Sequence, residues 1–216
     1  MTGVVFFDLD GTLTDPKAGI VGSIRFALDR LGLECPEEDN LTWCIGPPLL
    51  DSFSKLVGET LAPEALRHYR ERFDERGWRE NEPYEGIVAA LDQLVSRRFT
   101  LYVATSKPRV FADRIVEHFA LDKYFSEVFG AELDGVRSDK TDLLRFALAK
   151  TRPASIPIMV GDRMHDVVGA KRGQSVSHTV MEAAVSWSRP GSMPARIARP
   201  RSFLALNMCL GSVDSL

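Results

Sequence analysis

A chain of 216 residues exceeds the usual size of one domain and falls short of two, so one core carrying a sizeable insertion is the expected organisation. Its 27 basic residues against 30 acidic ones leave a formal charge of -3, which argues against the basic field that holds nucleic acid by counterion release. No stretch approaches the ~20 apolar residues that span a bilayer, and Cys35, Cys44 and Cys209 are too scattered for a zinc site or a disulfide framework, so buried or incidental thiols in a reducing cytoplasm are expected.

The first element is the apolar run Val4 to Phe7, short and bounded by polar residues as buried parallel strands are. It is too short for a signal-peptide core, and it runs directly into Asp8-Leu9-Asp10-Gly11-Thr12-Leu13-Thr14. Two carboxylates thus emerge at the carboxyl edge of the sheet, where open α/β folds put their ligands. Period-two geometry sets Asp8 and Asp10 on one side, and Gly11 lets the backbone turn sharply. One carboxylate can attack a phosphoryl group while a second protonates the leaving oxygen and later deprotonates the hydrolytic water. Like charges this close repel each other and an incoming phosphate dianion, so a cation is required. Mg2+ suits the site, because it is commonly held by a few carboxylates, waters and a substrate phosphate.

Between Asp15 and Pro83 the pattern turns helical, with no strand expected. Ile20, Val21, Ile24, Ala27, Leu28 and Leu31 form an apolar stripe that stops at Gly32. A second helix is expected near Pro36, a third after Gly46-Pro47-Pro48 with Leu49, Leu50, Phe53, Leu56 and Val57, and a fourth after Pro63 with Leu66, Tyr69 and Phe73. Residues 15–83 therefore read as a small helical bundle inserted into a discontinuous core of residues 1–14 and 84–216. The charge run from Glu71 to Glu82 reads as a wet helix end and return linker. His68 and His118 read as solvated surface, and Trp43, Trp78 and Trp187 as packing residues.

Beyond the insertion, Ile87, Leu91, Leu94 and Val95 keep one helical face. The run Phe99 to Ala104 follows, ending in Thr105-Ser106-Lys107-Pro108, which offers a hydroxyl and free backbone N–H groups at the start of the next helix, an anion seat. After the run Glu127 to Ala131, Lys140 opens a helix carrying Leu143, Leu144, Ala147 and Leu148, where it can neutralise developing phosphoryl charge. The last apolar run, Ile156 to Val160, ends in Gly161-Asp162-Arg163-Met164-His165-Asp166. Asp162 and Asp166 are four apart, so a helical turn brings both toward one face as the further ligands that a cation needs. His165, inside this segment, is given no chemical role. Strand alternating with helix implies an α/β fold: a Rossmann-like, doubly wound, mostly parallel sheet covered on both faces.

Taken in order, Asp8-x-Asp10-Gly-Thr, Thr105 at a strand end, Lys140, and Gly161-Asp162-x-x-x-Asp166 resemble the four motifs of the haloacid dehalogenase superfamily. Over most of residues 1–171 the chain is similar to the phosphoglycolate-phosphatase-like group with a helical cap. The resemblance implies Asp8 as nucleophile and Asp10 as general acid and base, with Thr105, Ser106 and Lys140 holding the phosphoryl group. It implies Mg2+ bound by the Asp8 carboxylate, the Asp10 backbone carbonyl and Asp162, with Asp166 acting through water or by orienting Lys140. An aspartate at position 10 favours phosphatase over dehalogenase or phosphonatase chemistry, because it can protonate an alkoxide. Residues 15–83 would be the cap, in which Ile45-Gly46-Pro47-Pro48-Leu49 resembles a loop facing the site; Lys17 and Arg25 are nearby cations of a kind that solvated helix faces commonly carry. The expected activity is Mg-dependent hydrolysis of a small phosphorylated metabolite through an aspartyl-phosphate, by a monomer or homodimer, with 2-phosphoglycolate as the family-implied substrate. A 5′-nucleotidase-like phosphatase is the alternative within this chemistry, and a catalytically impaired protein of the same fold is the alternative outside it.

The tail departs from the family pattern. Residues 172–216 carry five arginines against two acidic residues, Glu182 and Asp214. The family continues with a further short strand, a Gly-rich turn and an acidic helix, which Arg172-Gly173-Gln174-Ser175-Val176-Ser177-His178 does not resemble; a shifted reading frame or a divergent terminus would each account for the change. Loss of that strand exposes a sheet edge, so the tail is expected to pack irregularly and weaken stability while leaving the catalytic residues in place. Limited proteolysis is expected to cut beyond Lys171 well before the core, and protection equal to that of the core would count against this reading.

Overall fold

The computed structural model describes residues 3–162 and Asp166; the expectations for His165, Trp187, Cys209 and the tail after Lys171 lie outside them. In chain order the elements are β1 (Val4–Phe7), β2 (Thr14–Asp15), α1 (Lys17–Arg30), a 3-10 turn (Glu38–Cys44), α2 (Leu49–Val57), α3 (Ala62–Glu75), a short 3-10 turn (Gly77–Arg79), β3 (Glu82–Pro83), α4 (Ile87–Ser96), β4 (Thr100–Pro108), α5 (Arg109–His118), a short 3-10 turn (Asp122–Tyr124), β5 (Phe125–Ala131), α6 (Lys140–Thr151) and β6 (Ile158–Val160).

Four strands form one sheet in the order β5-β4-β1-β6, with every pairing parallel. The apolar sequence of β1 follows from its central place, since both of its faces are covered. Val5 and Phe7 pack with Leu91 and Leu94 of α4 and with Ala112, Ile115 and Val116 of α5. Phe6 points the other way, into Ala104, Phe129, Met159 and the Leu143, Leu144 and Ala147 stripe of α6. The chain winds outward from β1 to β4 and β5, then crosses back to lay β6 on the far side of β1. This reversal opens a crevice at the carboxyl ends of β1 and β6.

The α1–α3 insertion has its own core of Ile20, Val21, Ile24, Ala27, Leu28, Leu41, Phe53, Ala65, Tyr69 and Phe73, which Phe111 of α5 joins. Burial pushes the Cys44 thiol in this core up to about 11, against weaker opposing effects of Ser52 and Lys55. Arg72 stitches the bundle: it donates to Ser23 at 3.0 Å and in bidentate fashion to Glu80 at 2.9 and 3.0 Å.

Several details differ from the sequence reading. The helix expected near Pro36 is a 3-10 turn. Two short strands that carry no periodicity, β2 and β3, pair antiparallel where the insertion leaves and re-enters the core. Strand β6 begins at Ile158, two residues late, because Pro157 cannot donate to a ladder; Ile156 is 66% exposed. His68 is buried, since it shares the helical stripe of Ala65 and Tyr69, whereas Trp43 is 42% exposed. The Arg72–Glu80 pair gives the Glu71–Glu82 stretch a fixed internal partner where open solvent was expected.

Phe6 is fully buried, its ring 5.3 Å from Tyr102 and 6.3 Å from Phe129. Replacing it with alanine leaves a cavity that neither the sheet nor α6 can close, so Phe6→Ala is expected to cost about 3–5 kcal/mol. Urea unfolding measures this, and a loss under about 1 kcal/mol would show that the sheet–α6 layer repacks.

Candidate active site

The site begins where β1 stops. The Asp8 N–H donates to the Val160 carbonyl at 2.9 Å, locking the ends of β1 and β6 together. The Asp8 carboxylate accepts from the Leu9 N–H through Oδ1 at 2.8 Å, and the same oxygen lies 3.1 Å from Lys140 Nζ. Past Leu9 the chain doubles back: the Leu13 and Thr14 N–H groups both donate to the Leu9 carbonyl, at 2.9 and 3.0 Å. Gly11 takes φ +84° in this turn, and a Cβ there would strike the Asp162 carboxylate. Glycine is required at position 11 by backbone conformation and by packing alike.

From β6, Gly161 leads to Asp162, and a Cβ on Gly161 would overlap the Asp166 carboxylate. One carboxylate oxygen from each of Asp8, Asp162 and Asp166 falls within 4.8 Å of the others; Asp8 and Asp166 are buried, Asp162 exposed. An all-oxygen set of this size, open on one side to water, fits a hard divalent cation such as Mg2+.

Lys140 is the first residue of α6. The preceding Asp139 caps the helix, accepting from the Thr141 and Asp142 N–H groups at 2.8 and 3.1 Å. That cap fixes the start of α6 so that the Lys140 ammonium reaches three acceptors: Ala104 carbonyl at 2.9 Å, Asp8 Oδ1 at 3.1 Å and Asp166 Oδ1 at 2.8 Å. Burial alone would lower its proton affinity, but the Asp8 and Asp166 carboxylates outweigh that and hold Lys140 above its ordinary value. It is therefore a fixed positive charge at neutral pH.

Thr105 is buried on β4, with Ser106 half-buried after it. The expected loop of free N–H groups is instead a continuation of β4 with a register shift between Thr105 and Pro108. The Lys107 N–H is taken by the Thr105 hydroxyl at 3.3 Å, because a threonine oxygen can fold back onto the backbone two residues on. Of the two cations proposed near the insertion, Arg25 lies on the exposed face of α1, and Lys17 opens that helix with its backbone N–H on Asp15 Oδ1 at 2.9 Å.

Sequence reasoning passed over Lys107. Its ammonium donates to Asp10 Oδ2 at 2.5 Å and lies 5.0 Å from the centre of the Phe73 ring on α3. Phe73 stacks on Tyr69 at 5.4 Å and meets Phe111 edge-on at 5.1 Å, so the insertion overhangs Asp10 with an aromatic shelf. Burial, reinforced by the Asp10 carboxylate, holds the Tyr69 phenol well above its usual range and keeps it protonated. Asp10 Oδ1 is buried and has no hydrogen-bond partner among the described residues. The Arg70 guanidinium, donating to the Leu133 carbonyl at 2.9 Å, and the Arg114–Asp74 ion pair also tie α3 to the core.

The profile of the haloacid dehalogenase-like hydrolases matches residues 5–178. A 5′-nucleotidase of Pseudomonas aeruginosa is 51% identical over 78% of this chain and 77% of its own length. The tyrosine-protein kinase PtkA of Mycobacterium tuberculosis is 42% identical over 85% of this chain, which spans only 62% of that protein. Among solved structures, one described as a predicted phosphatase from Clostridium acetobutylicum superposes with a TM-score of 0.75 at 41% identity, covering 80% of this chain and 82% of that one.

Lys140→Met removes the ammonium but leaves the buried Asp8 and Asp166 carboxylates without their counter-charge. The variant is expected to lose about 3–5 kcal/mol of stability in chelator, and part of the loss should return on adding magnesium. An unchanged urea midpoint would mean that Lys140 does not balance these charges.

Proposed function

The chain belongs to the haloacid dehalogenase-like hydrolase family and is a phosphoric monoester hydrolase, and from that premise we propose a magnesium-dependent phosphatase that works through a phosphorylated Asp8. The observation that supports this reading best is the gathering of Asp8, Asp162 and Asp166 about the Lys140 ammonium at the crevice between β1 and β6. Asp8, Asp162 and the Asp10 backbone carbonyl would hold Mg2+, with Asp166 behind them orienting Lys140. When bound, the ion offsets the charge between carboxylate and phosphate and polarises the phosphoryl oxygens.

The remaining steps belong to the protein. Thr105, Ser106 and Lys140 seat the phosphoryl group in line with Asp8. The Asp8 carboxylate attacks phosphorus, the bond to the ester oxygen breaks, and Asp10 delivers its proton to that oxygen as it leaves. Asp10, now a carboxylate, takes a proton from water; the water oxygen attacks phosphorus, and Asp8 is released with inorganic phosphate. Residues 15–83 act as a cap that excludes bulk water and contacts the alcohol part of the substrate, with residues 1–14 and 84 onward forming the core.

The name of the 51% identical relative favours nucleoside monophosphates as substrates, ahead of 2-phosphoglycolate. Phosphate release from a panel holding AMP, 2-phosphoglycolate and 4-nitrophenyl phosphate, with and without Mg2+, tests the proposal. Metal-dependent release that Asp8→Asn lowers by several orders of magnitude is expected. Activity that survives Asp8→Asn would exclude the covalent route, and silence on every ester would favour a non-catalytic protein of this fold.

A further inference from the structure

Lys107 has a geometry that neither the metal cluster nor the phosphate seat accounts for. Its ammonium is almost fully shielded from water, and it spends one donor on Asp10 Oδ2 at 2.5 Å. On its far side lies the face of Phe73, part of the aromatic shelf that α3 lays over the site. The backbone is pinned as well, through the bond from the Lys107 N–H to Thr105 Oγ1. Asp10, in contrast, has one oxygen engaged and one free: Oδ2 faces Lys107, and Oδ1 is buried without a partner among the described residues.

We propose that Lys107 is the positioning residue of the leaving-group acid, fixing the Asp10 carboxyl through Oδ2 so that Oδ1 faces the departing oxygen, and coupling that orientation to the aromatic shelf of the insertion. The inference rests on Asp10 being the general acid and base of the reaction. Its chemistry is self-consistent in both half-reactions. When Asp10 carries the proton on Oδ1, Oδ2 is a carbonyl oxygen and accepts from the ammonium; when the proton has gone to the ester oxygen, Oδ2 is a carboxylate oxygen and still accepts. Lys107 therefore need not move while the proton comes and goes, and the carboxyl cannot rotate without breaking a charge-assisted bond in a shielded site. A purely structural ion pair would support the fold equally whatever ester was bound.

Leaving-group dependence separates these roles. 4-Nitrophenolate departs without needing a proton, whereas the alkoxide of AMP needs one. In kcat/KM, which reports steps through departure of the leaving group, Lys107→Met is expected to lose about 100-fold on AMP, the lower part of the range for general acid catalysis, and less than about tenfold on 4-nitrophenyl phosphate. Lys107→Arg, which keeps the charge and a donor, should recover part of the AMP rate. Adding Lys107→Met to Asp10→Asn should cost nothing further on AMP, because the residue to be positioned is already disabled. If Lys107→Met does not fold, Lys107→Gln and Lys107→Arg carry the same comparison. Equal losses on both esters, or additive losses in the double variant, overturn the proposal; retained turnover in Asp8→Asn overturns the underlying mechanism instead.

Discussion

One buried ammonium decides where everything else in the site can stand. Lys140 meets two carboxylates and the Ala104 carbonyl, so it ties β4 to the segments that follow β1 and β6. Without it, Asp8 and Asp166, both buried, would carry uncompensated negative charge, at a desolvation cost of several kcal/mol per ion. With it, a cluster of carboxylates at the switch point of the sheet becomes tolerable, and the space left among them is suited to one more cation. The capped start of α6, the all-apolar β1 and the glycines at positions 11 and 161 all serve to hold that charge and its partners in register.

A second charge pair, Lys107 with Asp10, has different surroundings. Lys107 and Asp10 meet beneath aromatic rings carried by α3 and α5. Lys140 sits between two carboxylates and a strand carbonyl within the core, whereas Lys107, among the described residues, donates to one carboxylate and faces a ring on an element outside the sheet. The two lysines thus divide the labour: the first balances static charge, and the second lies where core and insertion touch.

Much of this was legible in the sequence. Asp8, Asp10, Lys140 and Asp162 stand at the ends of apolar runs or the start of an amphipathic helix, and strand and helix periods are local signals that survive without coordinates. Lys107 was not legible, because its partner lies 97 residues away and a lysine before a proline reads as ordinary surface. The β2–β3 pairing was equally invisible, since two-residue strands containing Pro83 and Glu82 carry no alternation to detect. The burial of His68 is legible in its spacing from Ala65 and Tyr69, which places it on the apolar stripe of α3, although its charged neighbours point toward solvent. The position of the Thr105 hydroxyl at a strand end is legible, whereas its bond to the Lys107 N–H is not, because nothing in local sequence marks it.

The narrow β2–β3 ribbon has an effect beyond its size. Because Thr14 pairs with Pro83 and Asp15 with Glu82, the whole helical segment departs and returns through adjacent points, as the tip of a hairpin does. To the parallel sheet, that segment is topologically one turn, and the entropy of closing it depends only weakly on how much chain it contains. The length of that segment therefore bears little on the register of β1 against β4 and β6, which is set by pairings outside it. On the proposed reading, reactivity and choice of alcohol are therefore inherited as separable modules, free to diverge at different rates.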